Sequence, residues 1–349
     1  MSGELTLDIF NQDAFSAISL TSAIQRNPYQ PSLLGSMNIF DPNPIRTTAL
    51  TIEERDGKLV LIPITERGTQ GTQRTTEKRK RRYFDVPRLM HADTIYANEL
   101  QNIVQFGDTT VLMQLMQEVD RRLNGPTGLN ANLDFTEEFM RLAAVQGVLL
   151  NPGDNSIVYN WYDEFQRPQA TEIGFSLSAG TANTLRPLIN GIVRGMARRA
   201  QGAFTTGTKI VALCGDAFYD AFVNHPDVIR TFLNWNDARD IRGANTGGAF
   251  TAFEFAEVTW VNYRGSDDNS TIKIADDKVK FFPLGAPGVF QKAMAPGESF
   301  QWINTPGQPR YVQPIMDRDR NQWWKMEAYA YPLYICTRPE VLASGRAGA

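Results

Sequence analysis

The stretch from residue 47 to 87 limits what this chain can fold into more than any other. TTALTIEER (47–55) and KLVLIPITERG (58–68) flank Asp56-Gly57. Asp-Gly between β-prone runs is a strong hairpin signal, because a type I′ turn needs positive φ at both central residues. Nine extended residues reach ~30 Å at ~3.3 Å each. A polar tip (69–72) and a charged return, RTTEKRKRRYFDVPRL (74–89), follow. Few of these side chains can build a core of their own, and a lone hairpin is marginal in water. Such an arm must lie on something, either its own body or a neighbouring subunit.

Composition narrows the function. The 349 residues are 42% hydrophobic and 21% charged, the balance of a folded globular chain with one large or two medium domains. The net charge of −3 argues against bulk nucleic-acid binding through overall charge. Cys214 and Cys336 sit in apolar runs, outside any CxxC pair, and read as small core residues. The start, MSGELTLDIF, has no basic segment ahead of an apolar one, and no apolar run reaches the ~18 residues of a membrane span. A soluble chain made in a cytosol is expected. His91 and His225 stand alone, without metal-ligand or triad spacing. The acid pairs Asp267-Asp268, Asp276-Asp277 and Asp317/Asp319 lack calcium-loop spacing and read as solvated loops. No P-loop, GxSxG, HExxH or complete dinucleotide fingerprint occurs. The expectation is a chain that is not an enzyme, with no catalytic or metal-binding residues and no cofactor.

Along the chain, residues 8–24 carry apolar side chains at helical spacing. PYQPSLLGSMNIFDPNP (28–44) has four prolines and predicts an extended tether poor in hydrogen bonds, outside any core. Arm, tether and hairpin would leave the first ~85 residues largely outside a compact body. Helices are expected over 94–105, 109–124 and 134–150, the last capped by Asp134 or Thr136, with Glu137 and Glu138 in its first turn. Residues 156–162 and 171–178 read as strands and 185–204 as a helix. TKIVALCG (208–215) reads as a buried strand, because five apolar residues run without alternation. Two helices broken at His225-Pro226 follow, then strands over 250–265 and 278–283. A Gly/Pro-punctuated loop spans 285–300. A long aromatic strand, 321–340, is expected to pair with 157–162, and the tail ASGRAGA to be loose.

Two clusters invite sharper readings. The run Glu77-Lys78-Arg79-Lys80-Arg81-Arg82 is either a nucleic-acid patch or one edge of the arm, its charges alternating faces. The strand setting and the acidic total favour the arm. Trp323, Trp324, Tyr329, Tyr331 and Tyr334 are either a base-stacking platform or, as Ala328, Ala330 and Pro332 between them suggest, sheet core and subunit contact.

Several stretches in order resemble one family, the lambda-like major capsid proteins of tailed bacteriophages (capsid protein E). They are DIFNQDAFSAISLTSAIQRNPYQPSLLGSMNIF, the arm with TQRTTEKRKRRYFDVPRL, GVLLNPGDNSIVYNWYDEFQ, GDAFYDAFVNHPDVI and QWWKMEAYAYPLYICTRPEVL. None is a catalytic motif; the specificity lies in their sum.

The resemblance implies an α+β fold, an HK97-like capsid protomer. Its parts would be an N-terminal arm and tether (1–46), an extended β-hairpin loop (47–90), a peripheral domain with a long helix (91–180 and 297–349), and an inserted axial α/β domain (181–296). It implies a major capsid protein that assembles through hexamers and pentamers into an icosahedral shell around packaged double-stranded DNA. Subunit contacts would fall on the hairpin loop at Arg55, Asp56, Glu66, Arg67, Arg74, Glu77, Lys78, Arg79, Lys80, Arg81 and Arg82, and on the N-terminal arm at Phe10, Phe15 and Ile18. Partners would be other copies of the chain, a portal, a scaffold and in some cases a decoration protein. The DNA would be enclosed without sequence-specific binding, and no membrane is involved. The place would be the virion, assembled in the bacterial host cytoplasm. The Gly/Pro joints at 28–44, 125–128 and 243–248 would supply hinges. The alternatives are a nucleic-acid-binding protein using the basic strand 75–82 and an enzyme with an unrecognised site in 181–296.

Overall fold

The computed structural model describes residues 29–55, 79–99, 111–233 and 252–348, apart from 269, 318 and 321. The expected N-terminal helix, the Asp56-Gly57 turn and the hinge at 243–248 lie outside the described residues.

In chain order, a short helix α1 (Leu33–Ser36) leads to strands β1 (Asp41–Pro44), β2 (Ala49–Arg55), β3 (Arg79–Asp85) and β4 (Leu89–Tyr96). Helices α2 (Val111–Asn124) and α3 (Leu129–Val145) follow, then β5 (Val148–Leu150), β6 (Ile157–Asn160), α4 (Trp161–Glu164) and β7 (Ile173–Gly174). Next come α5 (Leu185–Arg199), β8 (Lys209–Cys214), α6 (Asp216–Val223), α7 (Pro226–Leu233), β9 (Ala252–Phe255), β10 (Val258–Asn262) and β11 (Lys278–Leu284). The described chain ends with β12 (Phe290–Met294), β13 (Tyr311–Met316), β14 (Trp323–Ala330), β15 (Pro332–Cys336) and β16 (Ala343–Arg346).

The largest sheet has six strands in the order β7-β16-β11-β8-β10-β9. Its centre explains the unbroken apolar run of β8. Ile210, Ala212 and Cys214 face one core with α5, α6, Trp260 and Phe281, while Val211 and Leu213 face a second core with Phe282, Trp161 and Tyr334. A strand buried on both faces has no side for polar residues.

The helix α3 carries the second core. Its first half packs Leu129 and Leu133 on Ile95, Met326 and Ala328 of the β13-β14-β4 sheet. Its second half buries Met140, Leu142, Ala144 and Val145. Gly147, at φ +86°, turns the chain from α3 into β5; a Cβ there would lie 2.4 Å from the Tyr162 ring.

Several expectations are corrected. The proline-rich stretch is fastened to the body: Leu34 and Ile39 are buried, and β1 lies parallel to β12 from Asp41↔Gln291 to Pro44↔Met294. Prolines are tolerated because β1 is an edge strand. The stretch 94–105 is not helical at its start; 89–96 is β4, paired to β14 because Leu89, Ile95 and Met326 share one face. The helix expected over 134–150 spans Leu129–Val145, so Glu137 and Glu138 sit mid-helix, and Gly128 stands at its N-cap without a side-chain cap. The loop 285–300 contains β12, whose pairing with β1 and β15 overrides its Gly/Pro flanks. The aromatic stretch 321–340 is two strands in two sheets: β14 joins β13 and β4, and β15 joins β12, whereas β6 pairs with β5. The loose tail is β16, held between β11 and β7. The sheets therefore cross the expected boundaries at 181 and 296. His225 is buried, its Nδ1 accepting the Asp227 N–H at 3.2 Å.

Candidate assembly interface

Strands β2 and β3 form a two-stranded ribbon. β2 pairs antiparallel with β3, from Ala49↔Asp85 to Arg55↔Arg79. Among the described residues, TTALTIEER thus pairs with the basic return. Strand alternation then sorts the side chains. Leu50, Ile52 and Phe84 face the body, where Phe84 packs edge-on against Tyr159 at 5.6 Å and Trp161 at 5.4 Å between ring centres. Burying a phenylalanine contributes about 1.5–3 kcal/mol, so Phe84 is the main rivet.

The basic run is divided by the same alternation. Arg82 turns to the body, donating to the Glu164 carbonyl and lying 5.5 Å over the Phe165 ring. Lys80 lies on that side too, with Nζ 3.4 Å from Gln166 Oε1. Arg81 and Tyr83 point away and are exposed, Tyr83 to 69%. Thr51 and Glu53 stand beside them on β2 and are exposed as well. The outward face is thus a tyrosine ringed by charged and polar groups, the mixture found where proteins dock.

Of the expected contact residues, Lys80, Arg81 and Arg82 are brought together on this ribbon. Arg55 and Arg79 are placed there by backbone pairing. Asp56, Glu66, Arg67, Arg74, Glu77, Lys78, Phe10, Phe15 and Ile18 lie outside the described residues.

A second feature, missed in the sequence, fastens the proline-rich stretch to the body. Glu137 and Glu138 of α3 are buried, at 1% and 0% exposure. Glu138 accepts the backbone N–H of Leu34 at 2.7 Å and of Gly35 at 3.0 Å, and Arg141 at 3.1 Å. Glu137 accepts Arg141 and Lys292, each at 2.8 Å, the Tyr334 hydroxyl at 2.5 Å, and Arg310. Arg141 and Lys292 also lie over the Tyr334 ring at 5.4 Å each. Burial pushes the Glu137 carboxyl up, but Arg310 and Lys292 outweigh it and hold its pKa at about 2. Burial dominates at Glu138, whose pKa is raised despite its amide donors and Arg141. The cluster joins α1, α3, β12, the approach to β13, and β15. Two adjacent glutamates on a helix that is otherwise apolar there were its signal. Mid-helix acids normally face solvent, so the pattern carried no partner.

The tether is pinned further out as well. The Tyr29 N–H donates to Asp267 at 3.0 Å, its ring lies 4.1 Å under Arg264, and Gln30 donates to the Pro126 carbonyl at 2.8 Å.

No group of three or more His, Cys, Asp or Glu among the described residues could hold a metal ion. No helix among them is long and apolar enough to cross a membrane. Trp323 and Trp324 are half-buried, and Tyr329, Tyr331 and Tyr334 are buried, so the aromatic stretch is sheet core rather than a stacking platform.

Comparison with known proteins accords with this architecture. The family model described as phage major capsid protein E matches residues 16–347. The major capsid protein of Pseudomonas phage KPP10 is 24% identical over 356 residues, covering 96% of this chain and 98% of that protein. That of Salmonella phage Felix O1 (isolate Felix O1-VT1) is 24% identical over 363 residues, covering 96% and 97%. The capsid of the cyanophage P-SCSP1u superposes with a TM-score of 0.52 at 10% identity, over 99% of both chains.

Proposed function

The chain belongs to the phage major capsid protein E family, and on that premise we propose how its parts serve a capsid. It is a tailed-phage major capsid protein with an HK97-like fold, a structural protein that self-assembles into the shell. In our reading, residues 47–90 form the extended loop laid on an adjacent subunit and residues 1–46 an N-terminal arm. The six-stranded sheet with α5, α6 and α7 forms the axial part around which copies gather as hexamers and pentamers. The shell encloses double-stranded DNA without reading its sequence, and the chain's net charge of −3 limits adhesion to it. Assembly takes place in the bacterial host cytoplasm with a scaffold and a portal, and a decoration protein is a further candidate partner.

The observation that carries the role of the loop is the two-sided ribbon β2–β3. Its inner face is riveted by Phe84 and Arg82, and its outer face keeps Tyr83 exposed. A polar arm of this kind gains stability by covering a neighbour, and a shell multiplies such contacts over its lattice. The same sorting counts against a nucleic-acid track, since two of the three cations with described side chains turn inward. Electron microscopy of the purified protein, beside a variant lacking residues 56–78, tests this. Shells from the full chain and none from the folded deletion variant are expected. Equal shells from both would refute the role given to the loop.

A further inference from the structure

A groove of about 560 Å³ opens between α5, α7 and β9. Three arginines line it: Arg186 and Arg194 from α5, and Arg230 from α7. None of them forms an ion pair among the described residues. Arg186 lies 5.7 Å over the Phe255 ring, Arg194 donates to the Asn190 carbonyl at 3.1 Å, and Arg230 to the Asn183 side chain at 3.3 Å. One carboxylate, Asp227, reaches the groove, and it is already engaged by the N–H groups of Asn183, Thr184 and Leu185 at 2.5, 3.0 and 3.1 Å. Three exposed arginines therefore line one groove beside a single carboxylate and, among the described residues, without an ion pair, which leaves a net positive site for an anion.

The same sheet carries the complement. Asp216 follows the end of β8, and Asp276 and Asp277 precede β11; all three are exposed. The loop and α6 are joined there, since the Phe218 N–H donates to the Asp276 carbonyl at 2.8 Å. Two cations stand at this end: Lys278, taken up by Glu172 at 2.7 Å, and Arg346, its exposed register partner on β16. Pairing puts these acids at the far end of the sheet from the groove. Phe255 pairs with Val258, which lies beside Ile210 at the start of β8, whereas Val279 lies beside Cys214 at its end.

We propose that the arginine groove receives Asp216, Asp276 and Asp277 of a second copy of this chain, in a head-to-tail contact. A groove at one end and its complement at the other make a heterologous interface, which closes into a ring when the rotation fits. A nucleic-acid strand is the weaker occupant, because a backbone demands a longer cationic track than three arginines on two helices. The contact rests on the shell reading above and specifies the neighbour that the axial part meets.

Two charge reversals test it in the full-length protein. One carries Arg186→Glu, Arg194→Glu and Arg230→Glu; the other carries Asp216→Lys, Asp276→Lys and Asp277→Lys. Shell yield is read by sedimentation and microscopy, and folding by circular dichroism. Each reversed chain alone should give at least about tenfold fewer shells, since like charges then face each other at every contact. Mixed, the two should recover six-membered rings, where acidic groove meets basic patch and basic groove meets acidic patch in alternation, while a ring of five keeps one like-charge contact. If a reversed chain does not fold, the Arg→Gln and Asp→Asn sets replace it, and wild-type yield that falls with salt while the neutral sets do not respond is the expected result. Folded single reversals that assemble like wild type, or a mixture that forms no six-membered rings, overturn the contact. A wild-type chain that forms no shells in the same reaction overturns the reading beneath it instead.

Discussion

Glu138 and Leu34 lie 104 residues apart, and the carboxylate of the first accepts the backbone N–H of the second at 2.7 Å. The bond is fully buried at both ends. It makes a side chain of α3 the anchor of the proline-rich stretch.

Glu138→Ala should destabilise the folded chain by about 2–4 kcal/mol, because it strands the buried Leu34 amide and the half-buried Gly35 amide and takes from Arg141 one of its two carboxylates. Urea denaturation measures the loss. Hydrogen exchange at Leu34 and Gly35 should accelerate most, while β8 amides keep their protection. Uniform acceleration across both would disprove a local anchor.

Glu137 should make stability fall with acid. Its pKa drops from 4.5 to about 2 on folding. A depressed carboxyl stabilises above the unfolded pKa, and that contribution is lost as pH falls from 4.5 towards 2. The size is roughly 3 kcal/mol at one unit per 1.36 kcal/mol. Glu138 works in the opposite sense, its raised pKa favouring the folded chain as protons bind. Stability against pH for wild type and Glu137→Gln should therefore converge in that window; parallel curves would refute the assignment.

Phe84→Ala should cost about 3–5 kcal/mol, as for other buried aromatics. Tyr83→Ala, one residue away on the outer face, should leave the melting temperature within a degree or two and lower shell yield. The pair separates riveting from docking, and a Tyr83→Ala chain with wild-type shell yield would count against the outer face as a contact.

Asp227→Ala should remove about 1–2 kcal/mol, the value of an N-terminal helix cap, although Asp227 belongs to α7 and the capped helix is α5. Thermal melting of Asp227→Ala and Asp227→Asn gives the size and shows whether acceptor geometry or charge matters.

Deleting residues 343–348 should be severe, because β16 fills the place between β11 and β7. Without it, β11 presents an open edge and Phe175 loses its cover, so insoluble expression is expected. A soluble, cooperatively melting product would contradict this.

The sequence announced what local chemistry controls. The buried strand IVALC, the helices of 111–124 and 185–199, and the break at His225-Pro226 all follow from periodicity and stops. Pairing over long distances stayed hidden. Nothing near DPNP states that it lies beside FQKAM, or that ASGR finds KVKF, because register is settled by faces that meet only in the fold. The Glu137–Glu138 cluster was hidden for the same reason: its cations come from β12 and the approach to β13, far along the chain. On the arm, alternation correctly warned that the basic run has two faces; only the packing of Phe84 shows which is inward.

The tether also sets an order of events in folding. Gly288 donates its N–H to the Asp41 side chain across 247 residues of sequence. Closing so long a loop is entropically costly and slow, and it can be rewarded only once β12 and β15 exist to receive the strand. Docking of the tether is therefore expected to be a late step, after β8 and β10 are protected, and pulse-labelled hydrogen exchange would show the order. A chain then gains β1 last, and until it does β12 keeps an open edge.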